Sequence, residues 1–379
     1  MTLEFMATTI EGLEDVAAKE VEELGGSVTE VGRGRVFLRG SIDLMYRLNI
    51  KARCIHKLVL VLSRGNALNL SEIYRFARAV DYFDIIRLDQ TFAVKTTRIG
   101  SHDYTSIDVS ATVGQAIIDN FMETKSVRPH VNLTNPDVEI DVYIKDLEIT
   151  IGVNTTGESL HKRNYRVYDH PAALKTTIAS GMIRLSGWRG DGLLDPMCGG
   201  GTIVIEATLM ARKFPPGFFR NGFAFTKLPL YDPKVHKEVL EKALDEANRD
   251  KLEVQGFDIS PKHVEGAKLN ALSAGVSDTI NFRVKDSRKE DTYVGLDVNT
   301  VIVNPPYGIR QSRLKVLKDL YSTFLKALSN TLSGSTLTII VAHPRIFEDA
   351  LNNINCKILE LRSIKHGNLP AKIYRVLIC

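Results

Sequence analysis

Apolar positions along the first sixty residues switch between two periods. Leu3–Ile10 reads as a strand. Leu13, Val16, Ala17, Val21 and Leu24 then recur at helical spacing over Gly12–Leu24, and Gly25-Gly26 stops the run. Ser27–Leu38 reads as a hairpin turning at Gly32-Arg33-Gly34, Ile42–Ile50 as a second helix and Ile55–Leu62 as another strand. This β-α-β-β-α-β order predicts a ferredoxin-like α+β unit over residues 1–62. A second α+β unit is predicted over 63–156. Ser71 would cap a helix running to Val80, Phe92–Thr97 is a strand and Ser106–Phe121 a helix. After Asn135-Pro136-Asp137, strict alternation at Val138, Ile140, Val142 and Ile144 gives a half-buried strand. Lys145-Asp146 turns it back into Glu148–Val153.

From about residue 171 the pattern becomes repeated strand–helix alternation. Strands are predicted at Gly192–Asp195, Glu253–Asp258, Ile280–Val284, Val298–Val303 and Thr336–Val341, with helical stretches between them. Such alternation makes a doubly wound α/β sheet, here over 171–379. Ile358–Ile364 and Ile373–Cys379 would close its edge. Residues 157–170 form a linker whose segment Leu160–Arg166 is basic with one aromatic.

Composition narrows the class. With 379 residues, 44% hydrophobic and 25% charged, the chain has ample core for two or three domains. No apolar run reaches bilayer length and no secretion signal opens the chain, so a cytoplasmic protein off the membrane is expected. The four cysteines (Cys54, Cys198, Cys356, Cys379) form no CxxC pair, which argues for a reducing compartment and against a zinc or iron–sulfur site. Net charge is +4, but unevenly spread. Residues 1–170 carry 20 Lys and Arg against 24 Asp and Glu. Within them, residues 31–64 hold eight basic side chains against one acid, Asp43, a cluster that could meet phosphates or simply form a solvated face.

The most informative residues are Asn304-Pro305-Pro306-Tyr307, directly after the β-branched run Asn299–Val303. Ligands of open parallel sheets bind beyond the carboxyl ends of the strands. Two prolines stiffen the backbone there, with an amide at one end and an aromatic ring at the other. The amide oxygen can accept from an exocyclic amine while the ring stacks on the base. Leu193-Leu194-Asp195-Pro196-Met197-Cys198-Gly199-Gly200-Gly201-Thr202 links the first strand of this half to an apolar helix, Ile203–Arg212. A dinucleotide fingerprint would need a third glycine where Val204 stands, and an acid at the strand end repels a pyrophosphate. Asp195 suits an ammonium instead, so a ligand carrying an amine, a carboxylate and a ribose fits better: S-adenosylmethionine. Asp258, ending the second strand, can accept the ribose hydroxyls, and Asp286 the adenine amine. Asp258 lies 63 residues beyond Asp195, against the usual gap of about 20. The aromatic, Pro- and Gly-rich insertion 214–232 accounts for the excess, as a substrate-touching loop or a self-packed flap.

Together these residues resemble the class I S-adenosylmethionine-dependent methyltransferases that methylate amines, whose motif is (D/N/S)-P-P-(Y/F). The N-terminal half, with Asn135-Pro136-Asp137-Val138 and Leu-His-Lys-Arg-Asn-Tyr-Arg, is similar to the ferredoxin-like plus THUMP module of RNA guanine-N2 methyltransferases. The resemblance implies a Rossmann-like catalytic domain, S-adenosylmethionine as cofactor and tRNA as partner, with no metal and a monomeric protein. It implies that Asp195, Pro196, Gly199, Gly201 and Thr202 line the methionine end of the cofactor, that Asp258 holds the ribose and Asp286 the adenine edge. Asn304, the Pro305 carbonyl and Tyr307 would hold the target base, with Asn304 also facing the cofactor. Pro171-Ala172-Ala173-Leu174-Lys175 matches the segment that closes over the cofactor. The archaeal-type members imply tRNA (guanine-N2-) methylation in the acceptor stem, at position 6. The alternatives are another tRNA position, large-subunit rRNA, DNA adenine-N6 methylation, or an RNA-binding protein with an inactive catalytic domain.

Overall fold

A computed structural model of the chain describes residues 2–308, 314–367 and 369–379. The N-terminal part runs β1 (Leu3–Thr9), α1 (Glu14–Glu23), β2 (Ser27–Gly32), β3 (Arg35–Gly40), α2 (Ile42–Lys51) and β4 (Ile55–Asn66), the β-α-β-β-α-β order predicted. It continues through α3 (Leu70–Arg78), β5 (Thr91–Ile99), α4 (Ser106–Lys125), β6 (His130–Val131), β7 (Val138–Lys145) and β8 (Glu148–Asn154). The helix expected to be capped by Ser71 is capped by Asn69, whose side chain accepts from the Glu72 N–H three residues on.

The two small units share one eight-stranded sheet, ordered β2-β3-β1-β4-β8-β7-β5-β6. The shared seam is β4. It runs four residues past the expected Leu62 and pairs antiparallel with β1 on one side and β8 on the other. The helices cover one face. On the opposite face Met6, Phe37, Val59 and Tyr143 form a smaller apolar cluster, with Arg35 stacked 4.0 Å above Tyr143 and Arg64 3.7 Å above Phe37.

The C-terminal part runs α5 (Thr176–Ser186), β9 (Leu193–Asp195), α6 (Thr202–Ala211), α7 (Pro233–Asp245), β10 (Val254–Asp258), α8 (Pro261–Ser273), β11 (Ile280–Val284), β12 (Thr300–Val303), α9 (Leu314–Thr331), β13 (Thr336–Val341), α10 (Pro344–Leu351), β14 (Cys356–His366) and β15 (Leu369–Ile378). Its sheet order is β11-β10-β9-β12-β13-β15-β14, parallel from β11 to β13. The last two strands join antiparallel at the predicted edge. The central strands β9 and β12 are buried throughout, as parallel strands covered on both faces must be. Among the described residues no helix is long and apolar enough to cross a membrane.

Three sequence features have partners that the sequence does not show. First, seven of the eight basic residues in 31–64 already face acids. Arg33 meets Glu11, Arg35 Glu148, Arg47 Asp43, Lys51 Glu246, Arg53 Glu206, Lys57 Glu139, and Arg64 Glu30. Second, the insertion 214–232 packs on itself, with Phe214, Phe218 and Phe219 ring to ring, and also on the N-terminal part. Arg220 donates to the carbonyls of Ser159 and Glu158, and the Phe225 N–H to the Thr155 carbonyl. Lys227 meets Asp137, and Gly217 packs on the Ile50 backbone so closely that a Cβ would sit 2.7 Å from its Cα. The insertion bolts the catalytic part to the N-terminal sheet. Third, the linker alternates: Leu160, Arg163 and Tyr165 are buried, while Glu158, Lys162, Asn164, Val167 and Asp169 are exposed. Arg163 (3% exposed) donates to the Leu160 and Arg53 carbonyls and reaches Glu206, which also accepts from Tyr165 and Ser180.

Candidate active site

Strand order reverses at β9: β10 and β11 extend to one side, β12 and β13 to the other. A crevice opens at such a switch point, beyond the strands' carboxyl ends. Asp195 is the last residue of β9, Asp258 the last of β10, Asn304 follows β12, and Asp286 lies two residues past β11. All four line one cavity of about 440 Å³, together with Pro196, Gly199, Thr202, Pro305 and Tyr307. Gly201 is not in its wall. It caps α6 at φ +81° and packs against α8, where a Cβ would lie 3.2 Å from that of Ala267. Gly200 occupies the wall in its place. Gly199, at φ +51°, turns its N–H toward Asp258 Oδ2 at 3.0 Å.

The three acids differ. Asp195 is 1% exposed and accepts one N–H, from Met197 at 3.1 Å. Burial pushes its carboxyl well above the ordinary carboxylate range, the Met197 N–H opposes this, and nearby Asp258 adds to it. No basic side chain of the described residues forms an ion pair with it. Asp258 accepts from the Gly199 and Ser260 N–H groups, one on each oxygen, which leaves lone pairs on both for a ligand. Asp286 departs from the expectation of an open acceptor. Arg288 grips it from Nε at 2.9 Å and Nη2 at 2.7 Å, and those bonds hold its carboxyl below the usual range. The group expected at the adenine edge is therefore an acid–guanidinium pair rather than a bare carboxylate.

On the same cavity wall as Asp195, the Asn304 Oδ1 atom is buried and has no hydrogen-bond donor among the described residues. A buried orphan acceptor costs about 1–3 kcal/mol, so its presence at a cavity wall marks a ligand position. The Tyr307 hydroxyl and Nδ1 of His366 on β14 share a hydrogen bond of 3.2 Å, and the two rings meet edge to face at 84°. Burial raises the Tyr307 phenol and, with Lys175, lowers the His366 imidazole, so both are neutral.

Sequence reasoning missed several wall residues: His170, Met197, Cys198, His263 and Arg288. His170 stands 4.3 Å from His263, edge to face, and His263 Nδ1 bonds the Tyr168 hydroxyl at 2.8 Å. The signal available was His170-Pro171, since a residue before proline is held extended and can carry a side chain inward. Of the segment expected to close over the cofactor, Ala172, Ala173 and Leu174 line this cavity, while Lys175 opens into a second one. Arg166 Nη2 ties that segment to the glycine loop, donating to the Leu174 carbonyl at 2.6 Å and to Thr202 Oγ1 at 2.9 Å.

The donor set fits S-adenosylmethionine. A buried carboxyl without an ion pair among the described residues suits the ammonium, Asp258 has acceptor capacity for a ribose, and the Asn304 amide oxygen has no donor among the described residues. Comparison with known proteins agrees. Residues 163–372 match the RMKL-like methyltransferase domain, 67–154 the THUMP domain and 4–59 the RlmL ferredoxin-like domain. The chain is 37% identical to the tRNA (guanine(6)-N2)-methyltransferase of Methanocaldococcus jannaschii, covering 98% of this chain and 99% of that one. It is 39% identical to the tRNA (guanine(6)-N2)-methyltransferase of Archaeoglobus fulgidus, covering 98% and 92%. The solved structure of SMU.472 in complex with S-adenosylhomocysteine superposes with a TM-score of 0.86 at 26% identity, covering 99% of this chain and 97% of that one.

Proposed function

Since the chain belongs to the RMKL-like methyltransferase family, with ferredoxin-like and THUMP domains ahead of the catalytic one, we propose that it methylates the N2 amine of a guanine in tRNA, at position 6 of the acceptor stem. It is an S-adenosylmethionine-dependent methyltransferase. The carrying observation is one cavity at the switch point: it holds a buried Asp195 without an ion pair among the described residues, together with the unpartnered Asn304 amide oxygen and the Tyr307 ring of the next strand end. The names of the two archaeal relatives support the base and its position.

Bound S-adenosylmethionine supplies a methyl on a positively charged sulfur that is already a good leaving group. The protein's part is then proximity and orientation. Asp195 anchors the ammonium, and Asp258 the ribose. Asn304 Oδ1 and the Pro305 carbonyl accept from the guanine amine, which favours a tetrahedral, nucleophilic nitrogen over one delocalised into the ring. Tyr307 stacks on the base and offsets part of the few kcal/mol needed to unstack it. An amide is no base at neutral pH, so the amine proton leaves to solvent after transfer. On this reading the enzyme works in the cytoplasm as a monomer.

The test is methyl transfer from labelled S-adenosylmethionine to unmodified tRNA transcripts, followed by mass spectrometry of the nucleosides. N2-methylguanosine is the expected product, lost when G6 of the transcript is replaced by A. Label in a different base, or undiminished label in the substituted transcript, would refute the assignment.

A further inference from the structure

A second cavity, of about 530 Å³, lies between the N-terminal sheet and the catalytic part. Its walls include Thr8 of β1, His56 and Lys57 of β4, Asp141 of β7 beside Lys57, Glu11 paired with Arg33, His161 of the linker, Lys175 at the start of α5 and Lys365 of β14. We propose that this cavity holds a backbone phosphodiester of the RNA substrate, with Lys175 as its cation. The inference rests on the RNA reading above and adds a site to it.

The argument starts from the charges. Lys57 is held 2.7 Å from Glu139, and Arg33 is held 2.6 Å from Glu11, so neither is free. Lys175 is half-buried and makes no ion pair among the described residues. The seven residues outside that set contain no Asp or Glu. A half-buried ammonium without a counter-ion is unfavourable unless something anionic arrives. Lys175 is also the N-cap of the eleven-residue α5, which has no side-chain cap and no acid in its first turn. The positive end of that helix is therefore uncompensated as well.

The neighbours carry the mark of the unbalanced charge. The His56 ring bonds Thr177 Oγ1 at 3.0 Å, and the His161 ring bonds Ser159 Oγ at 2.7 Å. Burial first and Lys175 second press their pKa values down to about 3 and about 4, with Arg163 acting on both and Lys162 and Arg166 on His161. An anion beside Lys175 would let both rings gain protons and become donors. The position suits a phosphate next to the reacting nucleotide. Leu174 lines the catalytic cavity while Lys175 lines this one, and Lys175 also acts on His366, the residue that bonds Tyr307. The adjacent residues 174 and 175 thus line one cavity each, so on this proposal the phosphate sits one residue along the chain from the wall of the base site.

tRNA binding measured against salt tests the proposal, using the unaltered protein, Lys175→Met and Lys175→Arg. Losing one phosphate contact reduces the slope of log K against log salt by about 0.7–0.9. Lys175→Met is expected to show that loss, and Lys175→Arg to keep the original slope. In a second arm, inorganic phosphate is titrated while the His56 and His161 imidazoles are followed by NMR. Both pKa values should rise in the unaltered protein and stay low in Lys175→Met. An unchanged slope in Lys175→Met, with tRNA still methylated, overturns this site alone. Failure of the unaltered protein to bind tRNA overturns the RNA reading and this site together.

Discussion

Replacing Asp195 by Asn should make the protein more stable and unable to hold its cofactor. The side chain is 1% exposed, accepts a single N–H and makes no ion pair among the described residues, so ionising it in the free protein leaves a nearly uncompensated buried charge. Burial raises the folded pKa above the unfolded value. The free protein is thus favoured below the ordinary carboxylate range and loses that contribution as pH climbs through the raised pKa. Asparagine keeps the acceptor for the Met197 N–H and removes the charge. Relieving an uncompensated buried charge is worth on the order of 2 kcal/mol. For a cooperative unit of 150–250 residues, about 2–4 °C of Tm accompanies each kcal/mol, so the variant should melt about 4–8 °C higher at neutral pH. The gap should close as pH falls toward the carboxylate range. Addition of S-adenosylmethionine reverses the order. At a hundredfold excess over Kd the unaltered protein gains about 2.7 kcal/mol, and the variant gains none at the same concentration. Differential scanning fluorimetry across pH, with and without cofactor, reads both effects. A variant that melts at or below the unaltered protein when cofactor-free would refute the burial argument. A variant with full cofactor stabilisation would refute the ammonium assignment.

Asn304→Ala is expected to lower kcat for tRNA methylation by about 10²–10³, the cost of losing an oriented polar contact to the reacting group; near-normal turnover removes Asn304 from the base platform. His366→Ala should lower kcat several-fold by freeing the Tyr307 phenol. In a double-mutant cycle with Tyr307→Phe the two losses should fail to add, by about 0.5–1.5 kcal/mol, and strict additivity would separate the two residues. Glu20 accepts from the Arg53 and Cys54 N–H groups, the latter at 2.7 Å, and from Arg184 Nη2 at 3.3 Å. Its replacement by Ala should cost about 3–5 kcal/mol, the cost of breaking a buried pair, and a urea midpoint that does not move would contradict that.

What could be read from the sequence follows from how local each cause is. The parallel strands were legible because burial on both faces writes β-branched runs such as Val301–Val303 into the chain. Asp195, Asp258 and Asn304 follow those runs directly, so finding the strands found the rim. Asp286 was legible as a position, but its state was not. Arg288 stands two residues away, and only side-chain geometry shows the two locked together. The junction was not legible at all. Glu20 and Glu206 each occur within a helical stretch, where an acid usually faces water, yet here both are buried. Their partners lie up to 164 residues away in sequence, a separation at which no spacing rule operates. The same holds for the basic stretch 31–64, whose partners Glu148, Glu206 and Glu246 are contributed by distant elements. These long-range pairs have a functional consequence that the motifs lack. Arg53 links the N-terminal sheet to the Leu209 and Phe214 carbonyls, Arg184 links α5 to Glu20 and Glu23 of α1, and Arg220 holds the insertion to the linker. Breaking the Arg53 contacts or the Arg184–Glu20 pair alone strands a buried charge or carbonyl, so the junction resists hinge motion. A fixed junction sets the span from the N-terminal sheet to the catalytic rim. On the proposed function, that span rather than any base-reading side chain selects the nucleotide that reaches Tyr307.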